Sequence, residues 1–426
     1  MLAASVAPFL TRHGIHYGWV MVALTFMTAL FSAGAISLPG VLILPLMNEF
    51  GWSRSEISGA MALMFILFGG MAPFAGALML RYGLRRVVAA AATLVVLALG
   101  GAALMTEKWH LWLTLGLLLG MAAGTTAMVL SATVANRWFV RRRGLVVGIL
   151  AAATATGQLI FLPTAAWLVA EFGWRFAVLP GIAGCSMCAL LYVLFARDWP
   201  ADLGLAPFGE TRVEPPAAAS AGNAISLSFA VLREAVPTRT FWILAGTFFI
   251  CGLSSSGIVQ QHFIPLCADN GLDGVRAASF LAMMGMFNFV GTIISGFLSD
   301  RYDNRVLLAT YYGLRGLSLM WLPFSDFDII SLTAFAVFFG LDFIATVPPT
   351  VKLAGQHFGP QKAAIVFGWA FTSHQVGSAV AALGAGVSRD ALATYMPAFF
   401  TAGLACLFAT IAIFGLRRLR AAGQAA

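Results

Sequence analysis

The chain has 426 residues, of which 60% are hydrophobic and only 10% charged, and its mean hydropathy is +0.89. A soluble domain needs a polar surface that this composition does not supply, and the net charge of +8 marks orientation in a bilayer, not nucleic-acid binding. The five cysteines all fall within or at the ends of apolar stretches. Cys185 and Cys188 form a C-x-x-C without His or carboxylate neighbours, so the thiols are read as small hydrophobes, and no metal or other cofactor is expected.

A membrane crossing takes about 20 mostly apolar residues, enough to traverse roughly 30 Å of hydrocarbon. Twelve such stretches follow one another, at 17–47, 55–80, 86–106, 110–136, 144–170, 174–196, 239–267, 275–299, 305–324, 328–351, 362–388 and 394–416. All are expected to be helices, because backbone polar groups in lipid must be satisfied within their own segment. The first follows the weakly charged TRHGIHYGW and shows no small-residue cleavage site, so it is read as a retained helix. Residues 197–238 break the pattern with Pro, Gly, Ala and mixed charge, and read as a cytoplasmic linker between a first six-helix bundle, 1–196, and a second, 239–426, that ends in a short basic tail. With both termini inside, 19 of the 25 Lys and Arg residues fall in inner loops and tails, five in outer loops, and Arg315 alone within a span. The positive-inside rule then places both termini in the cytoplasm, with the chain in an inner or plasma membrane.

The two halves repeat at a constant offset of 220 residues. GALMLRYGLRRV from Gly76 lies on GFLSDRYDNRVL from Gly296, LPLMNEFG from Leu44 on IPLCADNG from Ile264, Gly120 on Gly340, Gly148 on Gly368 and Gly157 on Gly377. Six spans per half give both copies the same membrane orientation, a parallel repeat. Over nearly its whole length the chain resembles the major facilitator superfamily. Its loop signature G-x-L-x-D-R-x-x-x-R is complete at Gly296, Leu298, Asp300, Arg301 and Arg305, whereas the first half has Leu80 in the acidic position. RWFVRRRGLVVG, Arg137 to Gly148, is similar to the monocarboxylate transporter signature, and the bacterial relatives of that branch include oxalate/formate exchangers. The resemblance implies an all-α membrane protein of twelve transmembrane helices, with helices 1, 4, 7 and 10 lining a cavity, 2, 5, 8 and 11 flanking it, and 3, 6, 9 and 12 at the periphery.

Three ionisable side chains sit at mid-span. At 1.5 Å rise per residue, Arg315 is about 15 Å from Arg305, Asp342 about 15 Å from Lys352, and His374 about 18 Å from Lys362. All three belong to spans 9 to 11, and the first half has no counterpart. An intramembrane charge costs about 2.5 to 3.5 kcal/mol even on lenient insertion scales, so Arg315 is expected to pair with Asp342, either as a pin in the second bundle or as part of a proton path. An imidazole exchanges its proton in the physiological range, so His374 is a candidate for proton coupling and for holding a carboxylate. In the exchangers that the chain resembles, basic groups on helices 8 and 11 hold the anion. Helix 8 here offers Asn288 as its main polar group, which suits a monoanion. Gln260 and Gln261 on span 7, Gln158 on span 5 and Gln375 on span 11 complete the expected substrate contacts.

These features point to a monomeric secondary carrier in the lipid bilayer that moves a small organic anion, a monocarboxylate, by alternating access with H⁺. Anion exchange of the oxalate/formate type, multidrug efflux and a non-transporting sensor on a carrier fold are the alternatives. Neither a G-x-x-x-x-G-K-[ST] loop nor an H-E-x-x-H motif is present, so the chain is not read as an enzyme.

Overall fold

The computed structural model describes residues 2–126, 128–213 and 224–416. Arg417, Arg418 and Arg420 of the expected basic tail lie outside the described residues. Each expected crossing is met by a helix: Gly18–Phe50, Arg54–Tyr82, Leu84–Ala103, Lys108–Trp138, Arg143–Phe172, Trp174–Phe195, Arg239–Asp269, Gly274–Arg301, Asn304–Trp321, Ile329–Phe358, Pro360–Leu392 and Met396–Ile413, here spans 1 to 12. Ten of them are long and apolar enough to cross a membrane. Spans 9 and 11 are less apolar, because span 9 carries Arg315 and span 11 carries His374, Gln375, Arg389 and Asp390. Among the described residues two more α-helices go beyond the expected crossings, Leu2–Arg12 before span 1 and Ala224–Ala235 within the linker, which also holds a short 3-10 helix at Pro200–Leu203. Among the described residues no strand forms, apart from a single bridge between Phe139 and Phe208.

The starts of several spans are written locally. Ser53 accepts from the Glu56 N–H while the Glu56 carboxylate accepts from the Ser53 N–H, a reciprocal cap on span 2. Asp273, Asp303 and Asp328 cap spans 8, 9 and 10 in the same sense, each accepting a backbone N–H of the first turn.

Helix association in lipid relies on close packing and hydrogen bonds, since lipid tails are as apolar as the helices themselves. In the first half span 1 packs on 5, 2 on 4 and 3 on 6; in the second, 7 packs on 11, 8 on 10 and 9 on 12. The halves meet where span 2 lies on 11, span 5 on 8 and span 1 on 7. The repeat extends to single atoms. A Cβ on Gly120 would lie 2.7 Å from the Met64 carbonyl oxygen, and one on Gly340 would lie 2.7 Å from that of Met284, 220 residues on. Only glycine lets the paired backbones approach so closely.

Candidate functional site

Span 10 is interrupted at mid-depth. Pro348 and Pro349 have no N–H to offer the preceding turn, so one helical segment ends at Asp342 and the next begins at Val347. The polar groups freed at this break must find partners, and spans 9 and 8 supply two each. Arg315 Nη2 donates to the Asp342 and Phe343 carbonyls at 2.5 and 3.2 Å, while its Nε donates to Asp342 Oδ2 at 2.6 Å. Span 8 contributes the rest: Ser295 Oγ donates to the Ala345 carbonyl at 2.5 Å, and Asn288 Oδ1 accepts from the Ile344 N–H at 3.1 Å. A guanidinium at the carbonyl end of a helix also meets the negative pole of its dipole. Arg315, 1% exposed, is therefore both counter-ion to Asp342 and cap of the broken helix.

The structure also sets His374 beside this pair. Arg315 Nη1 donates to Cys251 Sγ at 3.1 Å and to Ser254 Oγ at 3.4 Å on span 7, and Cys251 stands between Phe248 and Gly252, the two span 7 residues on which His374 packs. His374 stacks on Phe371 at 5.7 Å between centroids and lies 5.1 Å from Phe248. Its backbone presses on span 7 so closely that a Cβ on Gly252 would come within 1.8 Å of the His374 carbonyl oxygen. Spans 7, 9 and 10 thus meet in one polar knot, Asp342, Arg315 and Cys251, and His374 of span 11 packs on span 7 beside it. From its apolar surroundings in sequence Cys251 reads as a small hydrophobe, and no local mark shows that its thiol will face a guanidinium from another span.

The remaining candidates divide into two places. Gln260 and Asn288 line a narrow cleft between spans 5, 7, 8 and 10, with Leu162, Met284 and Phe343. Gln260 Nε2 crosses the seam between the halves to donate to Ser37 Oγ of span 1 at 2.9 Å. Gln375 instead packs on Gly69 of span 2, where Thr372 donates to the Gly69 carbonyl at 3.2 Å. Both amide ends of Gln261, Gln375 Oε1, His374 Nδ1 and Asp342 Oδ1 are buried without a hydrogen-bond partner. Gln158 lies on span 5, and its side chain is outside the described part of the structure.

The loop motif lies apart from this region. Asp300 pairs with Lys352 of span 10 at 2.7 Å, Arg301 lies 3.9 Å over the Phe297 ring, and Arg305 pairs with Asp303 at 2.7 Å. A Cβ on Gly296 would meet nothing within 4 Å. All these partners belong to the second half.

A cluster of charges that sequence reasoning did not single out closes the seam on the side where spans 1 and 2, 7 and 8, and 11 and 12 are joined. Arg54 of span 2 grips Asp269 of span 7 with both terminal nitrogens, at 2.7 and 3.0 Å, and Arg389 of span 11 binds the same carboxylate at 2.6 Å. Asp390 accepts the Arg54 and Ser55 N–H groups at 3.3 and 2.7 Å, capping span 2 from the other half. The repeat held a signal for it. Asp269 corresponds to Glu49, which pairs with Arg175 inside its own half, so a second acid at the same position needed a basic partner too.

The profile of the Major Facilitator Superfamily matches residues 22–382. Human monocarboxylate transporter 11 is 28% identical over 71% of this chain, and the alignment spans only 61% of that relative's length. Bovine monocarboxylate transporter 13 is 25% identical over 91% of this chain and 86% of its own. An uncharacterized MFS-type transporter of Bacillus subtilis, YcxA, is 24% identical over 89% and 90%. Among solved structures, a bacterial homologue of the human lysosomal transporter Spinster, in an inward-facing and unoccupied conformation, superposes with a TM-score of 0.68 at 15% identity over 93% of this chain and 95% of that one.

Proposed function

Because the chain belongs to the major facilitator superfamily and is homologous to monocarboxylate transporters, we propose that it carries a small monocarboxylate across an inner or plasma membrane by alternating access, coupled to H⁺. In this reading 1–196 and 239–426 are the two rocking bodies, 197–238 ties them on the cytoplasmic side, and the Arg54–Asp269 clasp seals the opposite side. One observation carries the proposal. Four residues of the second half, Gln261, Asp342, His374 and Gln375, bury polar atoms that no protein group satisfies. Such atoms are rare in folded proteins, and each calls for a function or a bound partner. A carboxylate and a proton are partners that this set of donors and acceptors can serve. His374 and Gln375 hold the anion from span 11, Gln260, Gln261 and Asn288 border its path, and the Arg315–Asp342 pair sets the charge balance.

The test is uptake of labelled lactate, pyruvate, formate and oxalate into proteoliposomes, with and without an inward H⁺ gradient. Gradient-driven accumulation of a monocarboxylate supports the reading. Uptake that requires an internal anion and ignores the gradient replaces it with exchange. His374→Ala is expected to lower uptake and flatten its pH dependence, and unchanged behaviour would remove His374 from the site.

A further inference from the structure

A second histidine stands behind the charged clasp. His262 of span 7 is fully buried, and its Nε2 lies 2.8 Å from the Ala382 carbonyl of span 11. A carbonyl can only accept, so Nε2 carries the hydrogen, and in the neutral ring Nδ1 is an acceptor. Nδ1 faces the Tyr395 hydroxyl at 3.3 Å, which donates to it, and the same hydroxyl oxygen accepts from Arg54 Nη1 at 2.8 Å. The order of donors is then fixed from end to end: Arg54 to Tyr395, Tyr395 to His262, His262 to Ala382. The chain starts in the first half, on span 2, and ends in the second, on span 11.

We propose that His262 is the proton-sensing residue of this clasp, and that its protonation releases the seam between the halves on the Arg54–Asp269 side. A proton on Nδ1 turns the ring's one acceptor into a donor. The Tyr395 oxygen then faces two cationic donors, Arg54 and His262, and its own hydrogen loses its acceptor. The groups around the ring do not offset this. Arg54 supplies positive charge from span 2, and Asp269 on span 7 is already shared by Arg54 and Arg389. Asp390 on span 11 is engaged by the first N–H groups of span 2. Span 1 contributes Glu49, held by Arg175 and Trp174, and span 8 contributes Asp273, held by Arg276. The closed seam therefore disfavours the charged ring, whereas a parted seam exposes it to water. A proton that binds the open form better shifts the population toward it.

The inference rests on the reading that the halves part on this side during transport, but its test needs no substrate. Spin labels on K108C and L392C, both exposed and on opposite halves at this end, report the seam by distance, while the five native cysteines are buried. In full-length protein in lipid nanodiscs, the longer-distance fraction should rise about threefold or more between pH 8 and pH 5.5. His262→Gln keeps a donor for Ala382 and an acceptor for Tyr395 but cannot charge, so its distances should not respond to pH. Tyr395→Phe breaks the chain at its centre, and should part the seam already at pH 8 with a weakened pH response. A wild type insensitive to pH overturns the proposal. So does a His262→Gln response equal to wild type or, if that variant does not fold, a Tyr395→Phe response equal to wild type. Any of these results leaves the proteoliposome assay free to support carriage, and failed uptake with an intact pH response would count against the substrate reading alone.

Discussion

The two halves place the same helices in the same contacts but fill one position in opposite ways. Where the second half buries Arg315 and Asp342, the first buries Val95 and Ala122, each 220 residues earlier. Val95 and Ala122 are as deeply buried as the ion pair, and Gly120 and Gly340 hold the neighbouring spans at the same distance. The bundle can thus be built without a charge at this point. What differs is span 10, where Pro348 and Pro349 correspond to Met128 and Val129 of span 4. The helix is broken ahead of the prolines, and Arg315 takes two of the carbonyls left at the break, those of Asp342 and Phe343, while Ser295 takes that of Ala345. The comparison teaches that the charge belongs to the break and to the knot it joins with Cys251, not to the fold as such.

The largest effect should come from Arg315→Leu, which strands Asp342 and uncaps the break. A loss of about 3 to 5 kcal/mol is expected for one partner of a buried pair. Arg315→Leu with Asp342→Leu, which brings the second half closer to the first, should recover much of that loss in thermal unfolding. Equal damage from the single and double changes would break the comparison. Gly291→Ala comes next: its Cβ would lie 1.8 Å from the Leu341 carbonyl oxygen, so overpacking of about 1 to 3 kcal/mol is expected. Gly368→Ala meets nothing within 4 Å and should be tolerated, which separates tight packing from a general cost of altering glycines. Asn288→Leu removes the acceptor of the Ile344 N–H and should cost about 1 to 3 kcal/mol, with a fall in uptake, because the same side chain borders the cleft. The smallest effect is predicted for Lys108→Ala. Its partner Glu56 is also exposed, so the change in unfolding temperature should reflect under about 1 kcal/mol.

Much of this was legible in the residues. Twelve apolar stretches became twelve helices because a lipid-embedded backbone has few other ways to satisfy itself. Arg315 and Asp342 could be matched because a buried charge seeks the only opposite charge at its depth. The knot around them could not, since Cys251, Ser254, Ser295 and the carbonyls of 342–345 carry no mark in sequence that they will converge. The linker holds no apolar stretch long enough to cross, and the structure adds that Ala224–Ala235 is helical, with Phe229 against Trp369 of span 11 and Phe74 of span 2.

By itself the sequence determined how many long apolar helices the chain forms, that its halves repeat at a fixed offset, and which side chains are too costly to leave alone in lipid. These follow from hydropathy, a fixed offset and the price of burying charge, all of which act along the chain. Only the tertiary structure decided which acid faces which base. Asp269 and Glu49 occupy one position of the repeat, yet Asp269 reaches across the seam to Arg54 while Glu49 turns inward to Arg175. Helix packing sets that choice, because it fixes the few ångströms within which a salt bridge or a hydrogen bond can form.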